Sequence, residues 1–256
     1  RGLGDVYKRQ QGSEAIVTAV KETEKKVKAP KLYDLTTLQR EANRIYGMTA
    51  KQTLDTAQSL YEKKLITYPR TDSQYLTEDM EQTARNVVRQ IYEKYQLTGP
   101  FDQPEQPDVK KVMNNSKVTD HHAIIPTMEL ASCYLDELKS WEEKILFLIA
   151  VHTVMAMSKD HIYQETEIEV ECQGEIFKAK GRTVLQDGWK LFENCFKNKD
   201  RMAIVDPDQE MKERMPKVTQ GQTFYAVDAE KTEHFTSPPK PYSEDTLLAA
   251  METAGN

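Results

Sequence analysis

Leu65-Ile66-Thr67-Tyr68-Pro69-Arg70-Thr71-Asp72-Ser73 is the stretch on which the reading of this chain turns. An apolar helical run ends at Leu65, and a tyrosine follows on a proline-restricted turn. Pro69 disfavours the α region for the residue before it, so Tyr68 is expected in extended geometry, projecting from the turn. A guanidinium stands two residues on, at Arg70, with a polar Thr71-Asp72-Ser73 run behind it. Side-chain attack on a phosphodiester needs this set: an oxygen nucleophile, a planar cation that can fork two phosphate oxygens, and a scaffold fixing both. Any one of the twelve tyrosines would ordinarily be structural, so the neighbours of Tyr68 decide its reading.

Upstream, Asp34 is placed to cap a helix whose apolar positions Leu35, Leu38, Ala42 and Ile45 recur at helical spacing, and Gly47 closes it. Thr49 with Gln52 three residues on forms a capping box for the next helix, with Leu54, Ala57, Leu60, Tyr61 and Leu65 as its expected apolar face. Two short capped helices joined by a tight glycine turn read as a helix-turn-helix unit, from which Tyr68 follows directly. Thr77 starts a third helix running to about Tyr95, Gly99 to Lys117 reads as an exposed loop, and Asp136 to Met157 as one long helix containing Trp141, Ile145, Leu148, Ile149 and Val151.

The flanks have a different period. Ser13 to Lys28 carries Ile16, Val17, Val20 and Val27 among charges and reads as one or two exposed strands, ended by Pro30. From Asp160, alternation through Glu165–Glu171 and Ile176–Ala179 around a Gly174 turn predicts antiparallel strands with one wet face. Thr223–Val227 is a further strand candidate, Ser237–Pro241 a linker, and Ser243 caps a last helix. The expected class is α+β and multidomain, with a helical domain over residues 32–159 inserted into a β-rich domain formed by 11–31 and 160–235. Residues 236–256 are the expected start of a further helical domain, and residues 1–10, which fit no pattern, are set aside as a foreign tail.

Composition narrows the function. With 38% hydrophobic and 30% charged residues the chain is of globular type, and no run approaches the ~18–20 apolar residues of a membrane span. The N-terminus carries no charged-then-apolar secretory pattern. Cys133, Cys172 and Cys195 are three widely spaced cysteines, read as reduced thiols of a cytoplasmic protein and not as a disulfide frame or zinc site. A formal net charge of -6 argues globally against nucleic acid, yet Lys31–Arg70 carries a surplus of three positive charges while Asp200–Asn256 carries a surplus of five negative ones. Positive charge therefore gathers beside Tyr68.

Four blocks in order give these features a family. Leu32-Tyr33-Asp34-Leu35-Thr36-Thr37-Leu38-Gln39, the Tyr68 stretch, His121-His122-Ala123-Ile124-Ile125-Pro126-Thr127, and Pro241-Tyr242-Ser243-Glu244-Asp245-Thr246-Leu247-Leu248 together resemble type IA DNA topoisomerases, nearest the topoisomerase III branch. Asp187-Gly188-Trp189 and Glu193 continue the likeness, which covers roughly residues 13–256. The resemblance implies that Tyr68 attacks single-stranded DNA to form a 5′-phosphotyrosine, with Arg70 on the scissile phosphate. It makes His121 a phosphate or nucleotide contact, with Asp72, Thr71 and Ser73 as further DNA-binding residues and His122 a weaker one. It also implies a winged-helix-like helical domain lifted by a β-rich arch, relaxation or decatenation without ATP, and a bacterial, nucleoid-associated enzyme. Mg²⁺ would be held by an acidic Toprim domain expected outside this chain, which would then be an internal fragment, inactive alone. No metal ligands are expected within the chain: Asp206-Pro207-Asp208-Gln209-Glu210 imitates the acidic triad but follows Tyr68 and lacks a surrounding βαβ pattern, so it reads as a solvated turn. Pro241 stands where the family often has a basic residue.

Two alternatives remain. A tyrosine recombinase would place an Arg and a His-x-x-Arg before a C-terminal tyrosine, whereas here the His pair follows it and neither His has an Arg three residues on. A non-catalytic helix-turn-helix DNA-binding module would need only the helices.

Overall fold

The computed structural model describes residues 8–97, 107–193 and 215–254. The chain divides into two compact units: Arg1–Val27 with Ile162–Gln186 and Val205–Lys240, and Lys28–His161 with Asp187–Ile204 and Pro241–Asn256.

The first unit is built on a four-stranded sheet of β1 (Ala15–Val27), β2 (His161–Cys172), β3 (Glu175–Gln186) and β4 (Thr223–Phe224), in the order β3-β2-β1-β4. The residues from Ser13 onward make one strand, not two. β2 and β3 form an antiparallel hairpin closed by Gln173 and Gly174, both at positive φ (54° and 80°), the geometry that matches strand twist in a two-residue turn. Alternation sorts the hairpin's faces. Glu165, Glu167 and Glu169 stand opposite Arg182, Lys180 and Lys178, while Ile168 and Cys172 on the other face are buried. The expected strand at 223–227 is shorter than its pattern suggests. Ala226 takes a left-handed φ of 54° and breaks the ladder, which resumes only where Val227 N–H donates to the Ser13 carbonyl.

The second unit carries the main core. α1 (Leu35–Tyr46) starts on Asp34, whose carboxylate accepts from Thr37 N–H at 2.7 Å, and ends on Gly47 at φ 67°. α2 (Ala50–Glu62) starts on the Thr49–Gln52 capping box. α3 (Glu81–Tyr95) buries Ala84, Val87, Val88 and Ile91, and α4 (Ser140–Ala156) is buried on all sides from Ile145 onward, with α1, α2 and α3 packed on it. A helix apolar all round is what a central position demands. α5 (Glu244–Thr253) docks on α1 through Arg40, whose guanidinium reaches Asp245 at 2.9 Å and Glu252 at 3.1 Å. The last helix thus packs with the helical unit, and so does the Asp187–Phe192 stretch that the periodicity had grouped with the strands.

Three expectations change in detail. The buried stripe of α2 is Thr53, Ala57 and Leu60, while Tyr61 is 39% exposed. Thr53 can be buried because its hydroxyl donates to the Thr49 carbonyl, leaving no orphan. The long helix starts at Ser140, not Asp136, after a separate 3₁₀ turn at Leu135–Glu137. Glu142 sets that start by accepting from the Lys139 N–H at 3.0 Å, and Trp141 beside it is 47% exposed. Of the expected loop, residues 99–106 lie outside the described residues, but Val109 and Val112 are buried in a 3₁₀ turn and do not lie in solvent. Among the described residues no helix is long and apolar enough to cross a membrane, and Cys133 and Cys172 are free thiols. Cys195 and the Asp206–Glu210 run lie outside the described residues.

Two features of α2 lead to measurable consequences. The helix ends in a Schellman motif, with Leu65 N–H donating to Leu60 O at 2.9 Å and Lys64 N–H to Tyr61 O at 2.8 Å, while Leu60 and Leu65 are both buried. The motif forces Lys64 to φ 61°, where glycine carries no steric penalty. Lys64→Gly should therefore raise unfolding free energy by about 0.5–1 kcal/mol and Lys64→Val should lower it, read by urea denaturation. Below the same turn, Glu142 is 3% exposed and accepts from Ser59 Oγ at 2.7 Å and Lys63 Nζ at 2.6 Å. Burial opposes its charge, but Lys63, Ser59 and the Lys139 N–H outweigh it and bring the pKa down to about 2. A depressed folded-state pKa contributes stability above the ordinary carboxylate range that is lost as pH falls toward 2. Wild type should lose about 2–3 kcal/mol between pH 5 and pH 2 that Glu142→Ala, already destabilised at pH 7, no longer loses over that window.

Candidate active site

Tyr68 lies in the loop between α2 and α3, and that loop is stitched to a second segment, residues 121–127. Thr67 N–H donates to Ile125 O at 3.0 Å, and Thr127 N–H to Leu65 O at 3.0 Å. Two threonine side chains complete the seam. Thr67 Oγ1 donates to Ala123 O and accepts from Ile125 N–H, both at 3.0 Å. Thr71 Oγ1 donates to His121 O at 2.9 Å and accepts from Ser73 N–H at 3.1 Å. Only Tyr68, Pro69 and Arg70 stand between these ties. The Thr71 carbonyl in turn takes the Leu35 N–H at 3.0 Å, one of the donors a helix N-terminus cannot satisfy internally. The loop is thereby fixed to the start of α1 as well.

The seam delivers three rings to one place. Tyr68 is half-buried, with its ring centroid 4.3 Å from that of His121 and the planes tilted by 43°. Tyr61, on the last turn of α2, meets Tyr68 edge-to-face at 5.4 Å and 77°. Arg70 and His121 are exposed, and so is Lys64. Among the described residues Arg70 has no carboxylate partner, so its fork is open to a ligand.

The other expected site residues fall elsewhere. Thr71 and Ser73, expected to bind DNA, are buried, and their hydroxyls are committed to the fold: Thr71 as above, Ser73 donating to Lys117 O at 2.8 Å. They shape the loop. Asp72 is exposed and makes no ion pair with Arg70. His122 is half-buried, its Nδ1 donating to Ala123 O at 2.8 Å, so it braces the seam beside Thr67. Tyr61 was assigned by its spacing to the helix core. The signal that would have moved it outward was Thr53, which takes the buried stripe one residue back.

No group of three or more His, Cys, Asp or Glu among the described residues is placed to hold a metal ion. Asp72 is the one acid in the Tyr68–Ser73 run. The described residues therefore do not fit a Mg²⁺ site.

Comparison with known proteins gives the chain a family. A family model described as DNA topoisomerase matches residues 4–255. DNA topoisomerase 3 of Bacillus licheniformis is 39% identical over 251 residues, covering 94% of this chain and 33% of that protein. The Bacillus subtilis DNA topoisomerase 3 is 38% identical over 252 residues, covering 96% of this chain and 33% of that protein. The solved structure of full-length topoisomerase I from Thermotoga maritima superposes with a TM-score of 0.69 at 25% identity, over 98% of this chain and 39% of that one. The chain spans about a third of the length of the curated relatives it matches. With a family model matched over nearly its whole length, the chain belongs to the DNA topoisomerase family, as a type IA, topoisomerase III-like member.

Proposed function

We propose that this chain is the nucleophile-bearing part of a type IA DNA topoisomerase, an isomerase that cleaves and rejoins single-stranded DNA through Tyr68. The Tyr68 phenolic oxygen attacks the backbone phosphorus, forming a 5′-phosphotyrosine bond as the bond to the 3′-oxygen breaks. The departing oxygen takes up a proton and leaves as a 3′-hydroxyl. Because the ester keeps the bond energy of the diester, the reverse attack by that hydroxyl rejoins the strand without ATP. Arg70 forks the scissile phosphate and offsets charge building on its oxygens, and His121 supplies a further phosphate or nucleotide contact. Asp72, exposed two residues after Arg70, is a further DNA-binding residue. Thr71 and Ser73 hold the loop.

One observation supports this reading above the others: an oxygen nucleophile is held half-exposed, 4.3 Å ring to ring from His121 and two residues from an open guanidinium. A recombinase lacks support because the His121-His122 pair follows Tyr68 and neither His has an Arg three residues on. A purely architectural DNA-binding module gives no reason for that exposure.

In the wider reading, the helical unit is a winged-helix-like insertion that a β-rich arch lifts to open a gate for strand passage, relaxing or decatenating DNA at the bacterial nucleoid. Mg²⁺ belongs to a part of the relatives' length that this chain does not span, and no step above runs through it. The test is covalent trapping on a labelled single-stranded oligonucleotide, in a protein of the relatives' full length carrying this chain. Tyr68 should give a denaturant-stable 5′-linked adduct, Tyr68→Phe none, and residues 1–256 alone essentially none. A 3′-linked adduct, or an adduct surviving Tyr68→Phe, would overturn the assignment.

A further inference from the structure

We propose that Tyr61 is a positioning residue for Tyr68, an inference that rests on the assignment of Tyr68 as nucleophile. A phenol attacking phosphorus must be held in one ring orientation, because its oxygen lies at the far end of two rotatable bonds. A half-exposed tyrosine on a loop would ordinarily sample several rotamers. Here two rings limit it. His121 lies against Tyr68 at 4.3 Å, and Tyr61 meets it edge-to-face at 5.4 Å and 77°, inside the range in which aromatic pairs attract through their quadrupoles.

What separates Tyr61 from an incidental neighbour is how its own turn is held. Ser59 and Lys63, two residues on either side of it, both reach the same buried carboxylate, Glu142, at 2.7 and 2.6 Å. That carboxylate belongs to the central helix α4 and also accepts the Lys139 N–H. The Tyr61 carbonyl is itself bonded by the Lys64 N–H in the helix-ending motif. An exposed aromatic side chain thus stands on a helical turn tied down on both sides of it. Tyr61 stands beside the buried stripe of its helix, 39% exposed, with its ring against that of Tyr68. The structure gives Tyr61 a fixed base and a ring target; a base-stacking platform would need only the exposed face.

The test separates positioning from stacking and from simple structure. In a protein of the relatives' full length carrying this chain, single-turnover cleavage and affinity are measured on one single-stranded oligonucleotide. Tyr61→Ala should slow cleavage about two- to tenfold while leaving affinity within about twofold, and Tyr61→Phe, which keeps the ring edge, should restore the rate. In the 256-residue chain, the Tyr68 ring resonances should shift in Tyr61→Ala and stay near wild type in Tyr61→Phe, at an unchanged unfolding midpoint. A loss of affinity with the cleavage rate intact would make Tyr61 a stacking platform and overturn the proposal. An unchanged cleavage rate in Tyr61→Ala, or unmoved Tyr68 resonances, would overturn it too. If Tyr68→Phe still cleaves, the assignment of the nucleophile fails. If Tyr68→Phe is dead and Tyr61→Ala is wild type, only this inference fails.

Discussion

Two threonine hydroxyls hold this site together. Thr67 and Thr71 lie on either side of Tyr68-Pro69-Arg70, and each ties the loop to the segment that carries His121. A threonine hydroxyl is suited to this because it donates and accepts at once. Thr67 bridges a carbonyl and an N–H of the same partner segment, and Thr71 bridges His121 O and Ser73 N–H. Each net bond is worth only about 1 kcal/mol, but orphaning a carbonyl at a buried residue such as Ala123 costs about 1–3 kcal/mol, so the Thr67 tie holds the loop more firmly than its bond count suggests. Of the three residues between them Arg70 is exposed, Tyr68 half-buried and Pro69 buried.

From this seam the rest can be traced inward. The Thr71 carbonyl reaches the start of α1, the Schellman motif sets the angle at which the chain leaves α2, and Glu142 fixes the last turn of α2 to α4. α4 in turn contributes His152, whose ring stacks on Tyr33 at 3.7 Å and whose Nε2 donates to Lys31 O at 2.8 Å. Burial lowers the His152 pKa despite the neighbouring Glu41, and the ring packs as an aromatic plate on Tyr33. Tyr33 also carries the backbone bridge to Ile124, so the same segment that presents His121 is fastened to the core from beneath. A polar seam and an apolar core thus constrain the Tyr68 loop from two sides.

Much of this was legible in the sequence. Asp34, Thr49 and Gln52 declared their caps, Gly47 its left-handed end, and alternation through Glu165–Glu171 the hairpin with its charged face. The Tyr68 stretch and the His121 block marked the candidate site, and the two meet in the structure. What periodicity could not supply was contact between segments far apart in the chain. Nothing in the periodicity marks Glu142, whose bond to the Lys139 N–H sets the helix start at Ser140 and whose meeting with Ser59 and Lys63 makes it an anchor. Thr71 and Ser73 read as ligands because hydroxyls beside a candidate nucleophile invite it, whereas the fold commits them to the His121 and Lys117 carbonyls. Lys64 hid a left-handed turn behind a residue that does not advertise one. Tyr61 was taken for core because a helix stripe can be drawn in two registers, and a buried threonine that satisfies itself decides between them.

The central claim is that the Thr67 and Thr71 hydroxyls place Tyr68 against His121. Its most direct measurement is the nuclear Overhauser contact between the two rings in the 256-residue chain, in wild type and in Thr71→Val. Wild type should show a clear Tyr68–His121 contact that fades in Thr71→Val while contacts between Ile66 and Pro126 persist. No ring contact in wild type, or an undiminished one in the variant, would contradict it.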